Sequence, residues 1–200
     1  PSSPFASARA SACTPWFIYV PFHAVHTPVD APDEFKKLYE GVKFHDDPVK
    51  HESRLRLAAE ISQVDAKIGQ FLAAIEKTGQ RENTLIVFTS DNGPWYGGSS
   101  GGLRGMKGSS YEGGYRVPCI LRWPGKIPAG QVDDTLGVTM DLFPTVLKAA
   151  GLSVPDDRLI DGRDLLAPVR IESVRYLIGV QNQNLSVIRD QRWKLHLLIP

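Results

Sequence analysis

The sequence predicts an α/β fold: a mostly parallel sheet flanked by helices, with a small antiparallel sheet at the carboxyl end. The continuous apolar run over residues 16–22 is typical of a buried strand. An amphipathic helix over residues 52–77 follows, and a second apolar run over residues 84–90 comes after it. Strand, helix and strand in this order indicate a parallel sheet. After residue 155, short apolar runs between polar turns indicate antiparallel strands.

Composition excludes several classes of protein. The chain has 200 residues, of which 42% are hydrophobic and 22% charged, as in an ordinary globular protein. A net charge of +1 gives no reason to expect a nucleic acid or an anionic membrane as partner. No apolar run approaches the roughly 20 residues that a transmembrane helix needs. Two cysteines, Cys13 and Cys119, do not make a disulfide framework, and the apolar run around Cys119 predicts a small buried side chain.

The chain divides into three predicted regions. Residues 1–15 are rich in Pro, Ser and Ala without apolar periodicity, which predicts a disordered leader. Residues 16–155 form the predicted α/β domain, incomplete at its amino-terminal side, and residues 156–200 the antiparallel subdomain. The helix over residues 52–77 is predicted from apolar side chains at steps of three and four, and from the stop that Gly79 supplies.

The remaining elements follow from shorter signals. Residues 91–115 form a glycine-rich loop that is longer than a simple connection requires, which is typical of functional loops. Asp141 is expected to cap a helix that runs to residue 150, with Gly151 as its stop. Strands are predicted over residues 117–122, 135–139, 174–179, 185–189 and 193–199.

Two oxygen-bearing side chains, Asp91 and Asn92, stand where the strand over residues 84–90 ends. Ligands of open α/β sheets bind beyond the carboxyl ends of strands, and a carboxylate beside an amide suits Ca²⁺ or Mg²⁺. The alternative is an Asx turn, because Asp and Asn are also common turn formers. The pair therefore predicts either a metal site or a plain turn.

A cationic stretch lies within the glycine-rich loop. Lys107 stands between two glycines, which let a backbone approach a ligand closely, and its ammonium group suits an oxyanion. The alternative is an ordinary solvated lysine. Arg104 and Arg116 either bind the same anion or pair with Glu112, and for Arg116 the structural role is preferred. Together with the oxygen pair, this loop predicts a site for an anionic ester.

His26 lies in a loop that directly follows the apolar run over residues 16–22. Loops that leave the same edge of a sheet converge, so His26 is expected near Asp91. An imidazole there would bind an ester oxygen or donate a proton to a leaving group. The alternative is a surface or core histidine without a catalytic role.

Taken in order, these segments resemble the sulfatase family. The resemblance covers about residues 16–199 and is carried by His23-Ala24-Val25-His26-Thr27-Pro28, by Phe88–Gly93, and by the loop from Leu103 to Pro118. Four further blocks match later parts of the family. These are residues 123–125, 138–145, 157–162 and 189–195.

The resemblance implies an alkaline-phosphatase-like fold and hydrolysis of sulfate esters by a formylglycine made from Cys or Ser. It implies that Asp91 and Asn92 are calcium ligands, and that His26 and Lys107 bind sulfate oxygens and take part in catalysis. It also implies a small-molecule or saccharide sulfate ester as substrate, and a secreted, periplasmic or lysosomal location. An exposed sheet edge would favour association between copies.

The chain departs from the family pattern at its start. Cys13-Thr14-Pro15 begins like the family's modified-cysteine motif, but Trp16 and Phe17 follow in place of the expected continuation. We therefore expect Cys13 not to be a working nucleophile and the chain alone to be inactive. Two alternatives to a sulfatase fragment stay open: a phosphoesterase or phosphonate hydrolase of the same superfamily, and a non-catalytic protein that binds sulfated sugars.

Overall fold

The computed structural model describes residues 15–95, 97–167, 175–181 and 183–197. The predicted leader, apart from residue 15, and Cys13 lie outside this range. The helices and strands follow one another along the chain, with short 3-10 turns at Lys37–Tyr39, Arg81–Asn83 and Thr139–Asp141. The elements are α1 (Asp33–Lys36), α2 (Pro48–Lys77), β1 (Ile86–Thr89), α3 (Glu112–Tyr115), β2 (Cys119–Arg122), α4 (Leu142–Ala149), β3 (Leu177–Gln181), β4 (Asn184–Arg189) and β5 (Lys194–His196).

The long helix α2 confirms the predicted helix and begins four residues earlier. Asp47 caps it, because its carboxylate accepts hydrogen bonds from the backbone N–H groups of Val49 and Lys50 at 2.9 and 3.1 Å. Pro48 occupies the first helical position, where its missing N–H costs nothing. The helix ends before Gly79, whose φ of 71° turns the chain away. A carboxylate cap followed by proline explains the earlier start.

The central pair of strands is antiparallel. β1 and β2 pair from Ile86 opposite Arg122 to Thr89 opposite Cys119. The predicted strand over residues 117–122 is confirmed but begins two residues later. The α/β character of the fold is confirmed, whereas the pairing direction in this sheet differs from the parallel one predicted.

The apolar run over residues 16–22 is not a strand, contrary to the prediction. Its side chains are exposed, from Trp16 at 38% to Tyr19 at 77%. An apolar run becomes a strand only when its backbone groups find a ladder partner, and none of the described strands pairs with this segment. The indole of Trp16 donates a hydrogen bond to the side chain of Gln80, which ties the segment to the end of α2.

Two further predictions about the central region are wrong. Cys119 is exposed rather than buried, because it opens β2 at a margin that no other described layer covers. Residues 135–139 contain no strand, and the last of them, Thr139, begins the 3-10 turn Thr139–Asp141.

The carboxyl-terminal sheet is antiparallel in the order β3, β4, β5, as predicted. The hairpin between β3 and β4 passes through Gln183, which has a φ of 65°. Val187 and Ser186 on β4 are buried, and the Ser186 hydroxyl donates to the carbonyl oxygen of Gly179 at 3.0 Å. Residue 174 and residues 198–199, where two predicted strands extend further, lie outside the described residues.

Asp141 stands at the amino-terminal cap position of α4, but its carboxylate does not cap that helix. It is fully buried and accepts hydrogen bonds from the backbone N–H of Val138 at 2.8 Å and of Arg163 at 2.7 Å. Arg175 donates to both carboxylate oxygens, at 2.6 and 2.7 Å. The predicted capping role is therefore corrected: Asp141 joins three separate segments of the chain.

Candidate functional site

The predicted metal ligands follow β1 with one residue, Ser90, between them and the strand. Asp91 is exposed and Asn92 is half-buried. The Ser90 hydroxyl donates to the backbone carbonyl of Asn92 at 3.0 Å, and the N–H of Gly93 donates to the carbonyl of Gly114 at 2.9 Å. Within the described part of the chain, no hydrogen bond or ion pair involves the side chain of Asp91 or Asn92. The backbone here is held in place while both side chains stay available.

Close backbone contacts at several glycines fix the conformation of the loop that follows. A Cβ on Gly113 would lie 2.8 Å from the carbonyl oxygen of Arg104, and one on Gly114 would lie 2.8 Å from that of Met106. A Cβ on Gly93 would overlap with the carbonyl of Gly113. Distances this short leave no room for a side chain. Glycine at these positions therefore allows three backbone segments, around residues 93, 104–106 and 113–114, to pack against one another. The glycine-rich loop is thus a tightly folded unit.

Lys107 belongs to this unit. Its N–H donates to the carbonyl of Pro94 at 3.0 Å, which ties it to the segment just after Asp91 and Asn92. The residue is half-buried, and among the described residues its ammonium group forms no ion pair. The structure therefore brings Lys107 and the oxygen pair into one loop cluster.

His26 lies in an exposed turn elsewhere. Its Nδ1 is 2.9 Å from the carbonyl oxygen of Thr27, so Nδ1 carries the proton that it donates. Its ring meets that of His23 edge-on, with centroids 5.5 Å apart. Across the described ranges, His26 makes no hydrogen bond or ring contact with the glycine-rich loop. The convergence of His26 with Asp91 stays a prediction.

The other charged residues of the loop have partners that the sequence did not reveal. Arg104 stacks on the ring of Tyr111, with its guanidinium carbon 4.0 Å from the ring centroid. Glu112 pairs with neither Arg104 nor Arg116, but with Arg189 at 3.3 Å and Lys194 at 2.8 Å. These partners lie more than 70 positions away, and no local sequence signal points to them.

The environment of Glu112 favours its charged form. Partial burial alone would raise the pKa of this carboxyl. The hydrogen bond from Lys194 and the charges of Arg189, Lys194 and Arg116 outweigh burial and lower the pKa below its ordinary value of 4.5. Glu112 is therefore an ionised anchor at neutral pH.

Calcium binding by Asp91 and Asn92 stays a prediction. The carboxylate of Asp91 and the amide of Asn92 are ligands of the kind that Ca²⁺ binds, but Ca²⁺ takes about 6–8 oxygen ligands. Among the residues that the structure describes, no group of three or more His, Cys, Asp or Glu side chains is arranged to hold a metal. The two side chains have the ligand chemistry that Ca²⁺ prefers, but they provide fewer ligands than the ion takes.

Membrane insertion through a helix finds no support in the described residues. None of their helices combines the length and the apolar character that crossing a bilayer requires.

The fold and the loop cluster define an α/β protein with a candidate anion site at the end of a strand. A family model described as sulfatase matches residues 5–152, which is most of the chain. The chain therefore belongs to the sulfatase family.

Curated relatives agree with this assignment. The chain is 40% identical to N-acetylgalactosamine-6-sulfatase of Rattus norvegicus over 201 residues, which covers 96% of the chain and 36% of the relative. It is 36% identical to steryl-sulfatase of the same organism over 202 residues, which covers 94% of the chain and 32% of the relative. The chain thus spans about a third of the length of these relatives.

Solved structures share the fold. The crystal structure of Ps i-CgsB matches with a TM-score of 0.75 and 30% identity, covering 86% of this chain and 39% of the other chain. The PsFucS1 sulfatase from Pseudoalteromonas sp. matches with a TM-score of 0.63 and 30% identity, and the match covers 82% of this chain and 39% of the other chain. The alkaline-phosphatase-like fold implied by the sequence is confirmed by these neighbours.

Proposed function

We propose that this chain carries part of the active site of a sulfate-ester hydrolase. One observation supports the proposal most directly: the loop backbone is locked by glycine contacts, while Asp91, Asn92 and Lys107 have no side-chain partner among the described residues. Polar side chains that stabilise a fold form internal hydrogen bonds. Side chains held on a rigid backbone and left unpaired suit the binding of a ligand.

The proposed chemistry is hydrolysis of the sulfur–oxygen bond that joins sulfate to an alcohol. In the net reaction, the hydroxyl group of water is added to the sulfate and its remaining hydrogen to the alcohol, so the products are inorganic sulfate and a free alcohol. Lys107 would bind a sulfate oxygen as a point charge. In His26, Nδ1–H donates to the carbonyl of Thr27, which leaves Nε2 to face a ligand; only the imidazolium form would carry a second N–H there. That group would donate to the bridging oxygen as the bond breaks.

The substrate class follows from the relatives. One solved neighbour, 31% identical with a TM-score of 0.72, holds k-i-k-neocarrahexaose. Another, 27% identical with a TM-score of 0.58, was solved with its substrate D-glucosamine-2-N,6-O-disulfate. We propose a sulfated saccharide as the substrate of this site and a secreted, periplasmic or lysosomal location for the enzyme.

The proposal includes inactivity of the chain by itself. Asp91 and Asn92 would supply two calcium ligands out of the 6–8 that the ion takes. No nucleophile is identified in the described part of the chain, and Cys13 lies outside it. Incubation of the purified chain with a chromogenic aryl sulfate and calcium is expected to give no turnover. Turnover that Cys13→Ala abolishes would contradict this expectation.

A hybrid enzyme tests the hydrolase function. Residues 16–200 replace the matched stretch of the Rattus norvegicus N-acetylgalactosamine-6-sulfatase, and a folded hybrid is assayed on aryl sulfate and aryl phosphate. We expect sulfate hydrolysis, and a loss of about 100-fold in kcat for Lys107→Ala because a charge facing the sulfate is removed. Lys126→Ala, an exposed lysine on the turn after β2, is the matched control and should leave kcat unchanged.

The other outcomes of this assay separate the alternatives. Preference for aryl phosphate would favour a phosphoesterase. Binding of a sulfated saccharide in calorimetry without turnover would favour a non-catalytic binding protein. Full activity of the Lys107→Ala hybrid would overturn the role given to Lys107.

A further inference from the structure

The carboxylate of Glu112 joins α3 to two strands of the carboxyl-terminal sheet. The two oxygens of Glu112 accept one hydrogen bond each, from Lys194 on β5 at 2.8 Å and from Arg189 at the end of β4 at 3.3 Å. The exposed fraction is 27% for the side chains of Glu112 and Arg189 and 14% for that of Lys194. Charge-assisted bonds that are partly shielded from water hold a geometry better than exposed pairs do.

Ring contacts strengthen the same junction. The ring of Tyr111 lies against that of His196 on β5, with centroids 4.6 Å apart. Arg104 covers the ring of Tyr111 at 4.0 Å, and the ammonium group of Lys194 is 5.3 Å from the ring centroid of Tyr115. The strand β5 therefore contacts residues on both sides of Glu112.

Movement of α3 would be transmitted to Lys107. The N–H of Gly113, the residue after Glu112, donates to the carbonyl of Arg104 at 2.8 Å. A Cβ on Gly113 would lie 2.8 Å from that same oxygen. The two backbone segments are therefore packed in direct contact, with no room for a side chain between them. Lys107 is three residues beyond Arg104 and is tied by its own N–H to Pro94.

We infer that Glu112 is a positioning residue for Lys107: through it, β4 and β5 set the conformation of the loop that presents the lysine to the anion. The role of the lysine in this statement rests on the proposed function, whereas the mechanical link rests on the contacts alone. Glu112 does not touch the substrate. It acts through the backbone of the glycine-rich loop.

Amide hydrogen exchange on the full chain tests the link. The backbone N–H groups of Gly93, Lys107 and Gly113 are all hydrogen-bonded within the loop cluster. In Glu112→Gln we expect these amides to exchange about tenfold faster, which is the effect of losing one hydrogen bond between charged groups. Amides of α2 should be unchanged. Glu52→Gln, which removes the exposed ion pair with Arg56 on α2, is the matched control and should leave the loop unaffected.

A double-mutant cycle shows whether Glu112 acts through the sheet. Lys194→Gln alone should accelerate the same loop amides, and the pair Glu112→Gln with Lys194→Gln should add little to either single variant. Unchanged loop amides in Glu112→Gln would overturn the inference. So would equal acceleration of the α2 amides, because that outcome reports a general loss of stability.

The hybrid enzyme adds a functional readout that a purely structural role would not move. Glu112→Gln should lower kcat for aryl sulfate while KM changes little, because a displaced Lys107 loses contact with charge that develops in the transition state. The exchange experiment does not depend on activity. If the hybrid is inactive but Glu112→Gln accelerates loop exchange, the proposed function is contradicted and the mechanical link between Glu112 and the loop is supported. If the hybrid is active but loop exchange is unchanged, only the mechanical link is contradicted.

Discussion

The buried carboxylate of Asp141 and the guanidinium of Arg175 form a bidentate ion pair, with both nitrogen–oxygen distances between 2.6 and 2.7 Å. The pair connects the start of α4 to the segment that leads into β3. The side chain of Asp141 is fully buried and that of Arg175 is 11% exposed. Burial of two charges is tolerated because each remaining lone pair of Asp141 also finds a backbone donor.

Removal of Arg175 should destabilise the chain strongly. In Arg175→Leu the charge of Asp141 stays buried without its partner, and we expect a loss of about 3–5 kcal/mol in the free energy of unfolding. Urea denaturation measures it. The same substitution at Arg158, which forms an exposed pair with Asp157, should leave stability nearly unchanged. Equal effects at the two positions would show that the buried pair has no special weight.

Stability should fall in acid through Asp141. Burial alone would raise the pKa of this carboxyl, but the hydrogen bonds from Arg175, Arg163 and Val138 outweigh it and lower the pKa below the ordinary 3.8. A depressed pKa in the folded state stabilises the fold above the unfolded pKa, and the contribution is lost as pH falls through the folded value. Urea titrations from pH 7 to 3 should show a shallower loss for Asp141→Asn than for the parent chain. An equally steep loss in the variant would contradict this linkage.

Gly93 should not accept a side chain. In Gly93→Ala the new methyl group would overlap with the carbonyl of Gly113, so we expect a loss of about 1–3 kcal/mol in the free energy of unfolding. Gly69 on α2 is the matched control, because a Cβ there meets nothing within 4 Å. Gly69→Ala should gain about 0.5–1 kcal/mol from helix propensity. Thermal or urea unfolding distinguishes the two, and a neutral Gly93→Ala would argue against the close-packed loop.

Glu60 on α2 should be replaceable with a gain in stability. It is 6% exposed, and its Oε2 is buried without a hydrogen-bond partner among the described residues. Burial raises its pKa, although the nearby charge of His23 opposes the rise. A raised pKa means that the ionised form costs stability above that pKa and that the cost fades as pH falls through it. Glu60→Gln should therefore gain stability at pH 7, and the gain should disappear as pH falls to the ordinary pKa of a glutamate carboxyl. A variant that is less stable at pH 7 would contradict this assignment.

Lys107 and Asp91 should be dispensable for folding. Their side chains have no partners in the described part of the chain, so Lys107→Met and Asp91→Ala should each change the free energy of unfolding by less than about 0.5 kcal/mol. Glu112→Gln serves as the contrast, because its carboxylate joins α3 to β5. A large destabilisation by Lys107→Met, measured by urea unfolding, would indicate a structural rather than a binding role.

Much of the fold could be predicted from local signals. The stripe of apolar residues and the glycine stop predict α2, and short apolar runs between polar turns predict β3, β4 and β5. These predictions succeed because the decisive contacts are made within about four residues or between neighbouring strands. The predicted strand over residues 16–22 is absent. Apolar content indicates that a segment tends to be buried, but it does not indicate whether another strand is present to pair with it.

The candidate site divides in the same way. The sequence by itself determined the family and the residue types of the site: an acid and an amide after a strand, and a lysine between glycines. Only the tertiary structure decided that Glu112 pairs with Arg189 and Lys194, and that Asp141 binds Arg175 instead of capping α4. Such pairs join residues tens of positions apart, and their choice depends on which surfaces the packed elements bring together. Local propensity does not encode that choice.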